Sequence, residues 1–185
     1  MLRPLLTAML IATAASASPA QTANPQIDYP GFQNLTRDVA AYRAKRLVRW
    51  EEFSKLAKRP GTLLLDARSA DAFAAGHIQG AVNLPLTDFT AQSLARVIGK
   101  RDRPILIYCN NNFRNDEPPV IRKMAELALN IQTFINLVGY GYPNVRELGD
   151  VVDFDDPKVG WVGQPSPGRM AKQARAAASL ERSRR

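Results

Sequence analysis

The chain has 185 residues, enough for one domain with a substantial core and too few for two large ones, and its 45% hydrophobic content suits a soluble globular protein. A single cysteine and a single histidine exclude an internal disulfide and a zinc shell built from those residue types. The formal charge of +8 gathers toward the C-terminus. Without a recognisable nucleic-acid module it does not make nucleic acid a partner.

Residues 1–20 read as a secretory signal peptide: Arg3 supplies the positive start, 5–15 an apolar run, and Ala15-Ser16-Ala17 or Ser18-Pro19-Ala20 a small-residue cleavage site. The apolar run of about 11 residues falls well short of the roughly 20 that span a bilayer, which favours a cleaved signal over a retained anchor. No cysteine follows to carry a lipid, and the single Arg3 does not make a twin-arginine signal. The expected location is therefore periplasmic, or secreted. Oxidising compartments pair thiols, so a lone exported cysteine is either buried and inert or kept for its chemistry.

Residues 21–35, polar and proline-containing, are expected to form an N-terminal arm, extended as far as Gln33. Thr36 is the expected cap of a short helix through Asp38, Val39, Ala41 and Tyr42. Leu47 and Val48 suit a short strand; Trp50, Phe53 and Leu56 follow at helical spacing, as core residues, until Pro60-Gly61 stops the helix. Residues 62–68 (Thr-Leu-Leu-Leu-Asp-Ala-Arg) form a buried strand that ends in charge, and 69–75 a helical turn or two closed by Gly76. A short strand is expected within 77–86, a helix over 90–98 and a charged turn over 99–103.

Pro104-Ile105-Leu106-Ile107-Tyr108 is the next buried strand, and it ends abruptly at Cys109 in the polar run Asn110-Asn111-Asn112-Phe113-Arg114. Such an edge is where open α/β sheets bind ligands. Pro118 and Pro119 are compatible with a first helical turn, and Val120, Ile121, Met124, Leu127 and Ala128 with the apolar face of the helix that follows. A loop curled around Cys109 would aim its N–H groups at the sulfur, and together with a helix N-terminus and Arg114 would favour thiolate over thiol. A small apolar core residue is the plainer role for such a cysteine. Residues 132–138 are expected to form a last strand and 145–148 a helix. Asp150, Asp153, Asp155 and Asp156 make an acidic segment without evident chemistry. Residues 161–185, with Arg169, Lys172, Arg175, Arg182, Arg184 and Arg185 against Glu181, form a basic, disordered tail able to touch an anionic membrane surface. Alternating short strands and helices predict an α/β fold, a parallel sheet covered on both faces.

The run Phe73-Ala74-Ala75-Gly76-His77-Ile78-Gln79-Gly80-Ala81, with Leu65-Asp66-Ala67-Arg68 before it and the strand-borne Cys109 after it, resembles the rhodanese family over about 47–148. The resemblance implies a rhodanese-like domain over 36–160: a five-stranded parallel sheet flanked by helices on both faces, with Cys109 as the catalytic residue that holds a sulfane sulfur as a persulfide. The six-residue span from Cys109 to Arg114 matches rhodanese loops, whereas the related cell-cycle phosphatases have one residue more. Asn110, Asn111, Asn112, Phe113 and Arg114 are then the substrate-binding residues. Asp66, Arg68 and His77 become structural, site-positioning ones.

Asn110 and Asn112 depart from the arginine and glycine common in the family, and Asp116 and Glu117 add negative charge nearby. Thiosulfate and similar anions should accordingly bind less well. The implied activity is double-displacement sulfur transfer to a thiol or cyanide, with no metal and no organic cofactor. The alternative is a non-catalytic rhodanese-like module that binds an anion or a protein partner in the cell envelope. Phosphatase or arsenate reductase chemistry is disfavoured by the loop length and the missing second thiol.

Overall fold

The computed structural model describes residues 24–183; the expected signal peptide lies outside them. Five short strands, β1 (Leu47–Val48), β2 (Leu63–Asp66), β4 (Val82–Asn83), β5 (Ile105–Tyr108) and β6 (Val145–Leu148), form one sheet in the order β1-β6-β5-β2-β4. Every pairing in it is parallel. β3 (Gly76–Ile78) and β7 (Trp161–Gly163) make a separate antiparallel pair.

The core follows from the two-residue period of the strands. Leu63, Leu65, Ile105, Ile107 and Val145 point to one face, under α1 (Tyr29–Ala44), α4 (Ala91–Ile98) and α5 (Leu129–Gly139), where they meet Val39, Leu94, Ile98, Phe134 and Leu137. Leu64, Leu106, Tyr108 and Leu148 point to the other, against Phe53 of α2 (Trp50–Ala57) and against Phe113, Phe154 and Val159. α3 (Ala70–Ala75), capped by Ser69, links β2 to β3. The five-stranded parallel α/β architecture is as expected; several elements are not.

Residues 132–138 are helix, within α5, rather than strand. The buried positions Asn130, Thr133, Phe134 and Leu137 recur at three and four, and two of them are polar, which hides the helical stripe from an apolar reading. Residues 145–148 are the strand β6 rather than a helix: four residues, three of them buried, lie between β1 and β5. The helix expected over 118–128 is absent. Proline disfavours helical backbone at the residue before it, and Ile121, Met124 and Leu127 have no sheet beneath them, at 53%, 70% and 54% exposure. Only a 3-10 turn, Ala125–Leu127, interrupts this segment.

The ends differ as well. α1 starts at Tyr29 rather than after Thr36, because Asp28 caps it by accepting from the Gly31 N–H and Pro30 sits in its first turn. Thr36 instead donates to the Phe32 carbonyl, 2.8 Å away. The supposedly disordered tail is α6 (Pro167–Ser183), capped by Ser166, whose Oγ accepts from Arg169 and donates to Asp155. The acidic segment has a structural use: Asp150 accepts from Trp50 N, Asp153 from Asn115 and from the Asp155 N–H, and Asp156 from Lys158 N.

Phe134 is fully buried in α5, so Phe134→Ala should lower stability by about 3–5 kcal/mol in urea unfolding. Met124→Ala, in the exposed segment, should stay within about 0.5 kcal/mol.

Candidate active site

Asp66 ends β2 with no exposed surface, and a carboxylate there requires a partner. Arg68, 3% exposed, supplies it: Nε lies 3.0 Å from both carboxylate oxygens and Nη2 2.7 Å from Oδ2. The same guanidinium donates to the Gly76 carbonyl at 2.6 Å and to Asn110 Oδ1 at 3.2 Å. From β5, the Tyr108 hydroxyl donates to Asp66 at 2.7 Å and accepts from the Ile78 N–H. Burial works to lower the Arg68 pKa, but the hydrogen bonds and charge of Asp66 outweigh it and leave the guanidinium more firmly protonated. Burial and then the Asp66 charge push the Tyr108 phenol well up, so it stays a donor. Asp66 and Arg68 are thus tied to Tyr108 at the end of β5 and to Asn110 just beyond it.

Cys109 follows β5 and is 1% exposed. Its N–H donates to Asn112 Oδ1 at 2.9 Å, and Asn112 N–H closes a short turn onto the cysteine. Asn112 is held in turn by Leu148 and Asp150 carbonyls and by Asn130 Nδ2, which lies 2.8 Å from its Oδ1. The sulfur meets the N-terminus of α5: N–H groups of Asn130 and Leu129, with that of Asn111, favour its anion. Burial nevertheless dominates. It raises the Cys109 pKa, the Asn130 and Asn111 amides lower it, the nearby Glu147 carboxylate raises it again, and the balance is a thiol that holds its proton more tightly than usual. The expectation of a stabilised thiolate is corrected accordingly for this closed arrangement.

The loop also differs from the expected six-residue cradle. After the Asn110–Asn112 turn the chain runs beside Val152, with Arg114 N–H donating to its carbonyl at 2.9 Å. Phe113 is fully buried against Tyr108, Phe154 and Trp161, a core anchor and not a pocket wall. Arg114 is exposed, and its guanidinium makes no hydrogen bond or ion pair among the described residues. Of the amides that reach the sulfur, the loop supplies that of Asn111, and those of Leu129 and Asn130 come from beyond the 114–128 segment. Asn110 and Asn111 tie that segment down: Asn110 Nδ2 donates to the Ile121 carbonyl at 2.7 Å, Asn111 Nδ2 to the Lys123 carbonyl at 2.8 Å, and Lys123 N–H to Asn111 Oδ1 at 3.1 Å. Segment 114–128 is thus a strap pinned across the site.

His77 lies on β3, its Nδ1 2.8 Å from the Phe73 carbonyl and its ring stacked on Phe73. Sequence reasoning missed Asn130 and Thr133 of α5 and Glu147 of β6. Glu147 is buried and paired with Arg43 at 2.5 Å; Asn130 Oδ1 and Thr133 Oγ1 are buried with no hydrogen-bond partner. Their signal was the polar pair at helical spacing in a segment otherwise read as strand. No group of metal-ligating side chains occurs among the described residues.

Outside the carboxyl ends of β2, β4 and β5 lies a cleft of about 850 Å³. Ala67, Pro85, Leu86, Met124, Leu127 and Leu129 give it apolar walls, and Asn110 and Asn111, which follow Cys109 in the chain, line it as well.

The model of the rhodanese-like domain matches residues 49–150. A curated relative, the uncharacterised protein YibN of Escherichia coli, is 24% identical over 87 residues, 47% of this chain and 57% of its own length. The chain thus spans little more than half of that relative. Among solved structures, a Bacillus halodurans protein, BH2092, overlaps with a TM-score of 0.47 at 17% identity over 76% of this chain and 87% of that one. The rhodanese-like domain of an Anabaena protein, Alr3790, gives 0.46 at 18% identity over 64% and 80%.

Replacing Arg68 with Met strands the Asp66 charge, and should cost about 3–5 kcal/mol in urea unfolding; adding Asp66→Asn should recover part of that loss. A second expectation concerns pH. Below the unfolded-chain cysteine pKa of about 8.5 both states hold the proton; above it only the unfolded chain ionises freely, so stability falls as pH rises toward the higher folded value. Wild type should therefore lose stability relative to Cys109→Ser above about pH 8.5, by at most about 1.4 kcal/mol per pH unit. Parallel stability curves would contradict it.

Proposed function

Because the chain belongs to the rhodanese-like family, we propose that it is a sulfurtransferase that carries a sulfane sulfur on Cys109 as a persulfide. The observation that carries this reading is the aim of the α5 N-terminus, through the Leu129 and Asn130 amides, at the only sulfhydryl of the chain. Backbone dipoles so placed stabilise a sulfur anion without needing a charged side chain. In the first step the Cys109 thiolate attacks the outer sulfur of a donor and the donor's remaining fragment leaves as an anion. In the second an acceptor thiolate or cyanide takes that sulfur and Cys109 Sγ recovers its electron pair.

A sealed, proton-holding thiol reacts slowly, so the strap at 114–128 opens before each step. Opening admits water and donor, removes the burial that raises the thiol pKa, and leaves the amides of α5 in place. The Asn110 and Asn111 bonds set how often this happens. Thiosulfate is a poor donor in this reading, since Arg68 is committed to Asp66 and Arg114 is exposed to solvent, where its charge is screened. Residues 1–20 direct the chain into the cell envelope. The burial of Cys109 favours a second reading, a non-catalytic module in which the same thiol is a core residue.

Incubation with polysulfide separates the two. Wild type should gain about 32 Da on Cys109 by intact mass, Cys109→Ser should gain nothing, and Asn111→Ala should load several-fold faster because its strap is less firmly held. A native thiol that stays unmodified while the urea-unfolded chain loads would leave the module reading standing.

A further inference from the structure

The cleft beside Cys109 is poorly matched to the smallest partners of sulfur transfer. Cyanide or a sulfur oxyanion needs little room and a concentrated positive field, yet this cleft has about 850 Å³ of space, near the upper end for small-molecule sites. Of its charged lining groups, Arg68 is neutralised by Asp66, while Asp88 opposes Lys123 in sign. Apolar side chains face it from both sides: Leu86 follows β4, and Leu127 and Met124 belong to the strap. On the strap these two are 54% and 70% exposed, with no core to join. Asn110 and Asn111, the two residues that follow Cys109 in the chain, add polar groups to its lining. An occupant with an apolar body and a sulfur at one end would bury Leu127 and Met124 and bring that sulfur toward Cys109.

We infer that this cleft seats a low-molecular-weight organic thiol with a linear apolar body, the acceptor of the sulfur carried on Cys109; the inference rests on the sulfurtransferase reading above. The acceptor thiolate attacks the outer sulfur of the Cys109 persulfide, which keeps its proton. The bond to Cys109 Sγ breaks with its electron pair returning to that atom, and a new S–S bond forms on the acceptor. No external oxidant or reductant enters.

The test is single-turnover discharge of polysulfide-loaded protein by 2-mercaptoethanol, 1-butanethiol and 1-hexanethiol, followed by loss of about 32 Da from Cys109. The second-order rate constant should rise along the alkanethiols by up to about fourfold per methylene, the equivalent of about 0.8 kcal/mol per buried CH₂ at 1.36 kcal/mol per tenfold. Leu127→Asp and Met124→Asp, at exposed positions that the fold tolerates, should flatten that rise. A flat series in wild type, or faster discharge by a cysteine-containing peptide than by every alkanethiol, would overturn the inference. A parallel titration of Cys109→Ser with 1-hexanethiol should shift the backbone amides of Leu86, Leu127 and Leu129. Binding there by a protein whose wild-type form never loads sulfur would overturn the sulfurtransferase reading and leave the ligand class intact; loading without such binding would do the reverse.

Discussion

The buried ion pair of Asp66 and Arg68 is the constraint on which the rest of the site depends. A carboxylate without exposed surface costs several kcal/mol unless its charge and lone pairs are met, and a single guanidinium two residues away meets most of them. Because that guanidinium has donors left over, it also fixes the Gly76 carbonyl and Asn110. Tyr108 closes the circuit from the neighbouring strand, joining Asp66 to the Ile78 N–H. The end of β2, the start of β3, the last residue of β5 and the first loop residue after Cys109 therefore move as one body. The Asp-Ala-Arg strand end and the Gly-His-Ile run, eight residues apart at Arg68 and Gly76, are two halves of a single hydrogen-bonded frame. His77 is the member of that run that points elsewhere, onto Phe73.

The frame delivers Cys109 to a place where two effects oppose each other. Amides at the start of α5 and in the Asn110–Asn112 turn favour an anion, and removal from water disfavours it. Burial prevails in the closed arrangement, so reactivity is tied to solvent access instead of being a fixed property of the loop. Glu147 pushes the same way, restrained by its pairing with Arg43. A buried thiol of this kind is also shielded from stray oxidants.

The sheet was legible because its strands are short continuous apolar runs ending in charge or at the cysteine, as at Leu63 to Asp66 and Ile105 to Cys109. The frame residues were legible through a motif. What failed was reading from apolar content alone. Phe134, Ile135, Leu137 and Val138 look like a strand, yet their helical face includes Asn130 and Thr133, polar residues buried beside the site. Val145 and Leu148 look like a fragment of helix, yet three strand residues pair with β5. The 114–128 segment has helical spacing without a surface to cover, and spacing by itself does not make a helix stable in water. Mistaking it for the helix that follows the cysteine made Arg114 the far end of the loop. The actual helix begins at Leu129, so the true cradle is assembled from residues remote in sequence.

That displacement changes what the site can recognise. A short loop curled on itself surrounds sulfur with its own amides and leaves room for little beyond a compact anion. Here the second set of amides arrives from α5, and the intervening chain is free to lie across the carboxyl edge of the sheet as a wall. At its start it is tied to the domain by the Arg114 N–H on the Val152 carbonyl, by Asn115 on Asp153 and Phe154, and by Val120, fully buried in the core; farther on, Asn110 and Asn111 hold it, while Ile121, Met124 and Leu127 are exposed. Residues 121–127 are all exposed, and little buried apolar area is the physical mark of a part that opens at low cost. Asn110, where the family commonly has arginine, gives up positive charge beside the sulfur and gains a side-chain amide that holds the Ile121 carbonyl, whereas Asn112, where it commonly has glycine, ties the Cys109 N–H to the Leu148 and Asp150 carbonyls. For the proposed thiol acceptor, shape and apolar contact would then do the selecting in place of charge.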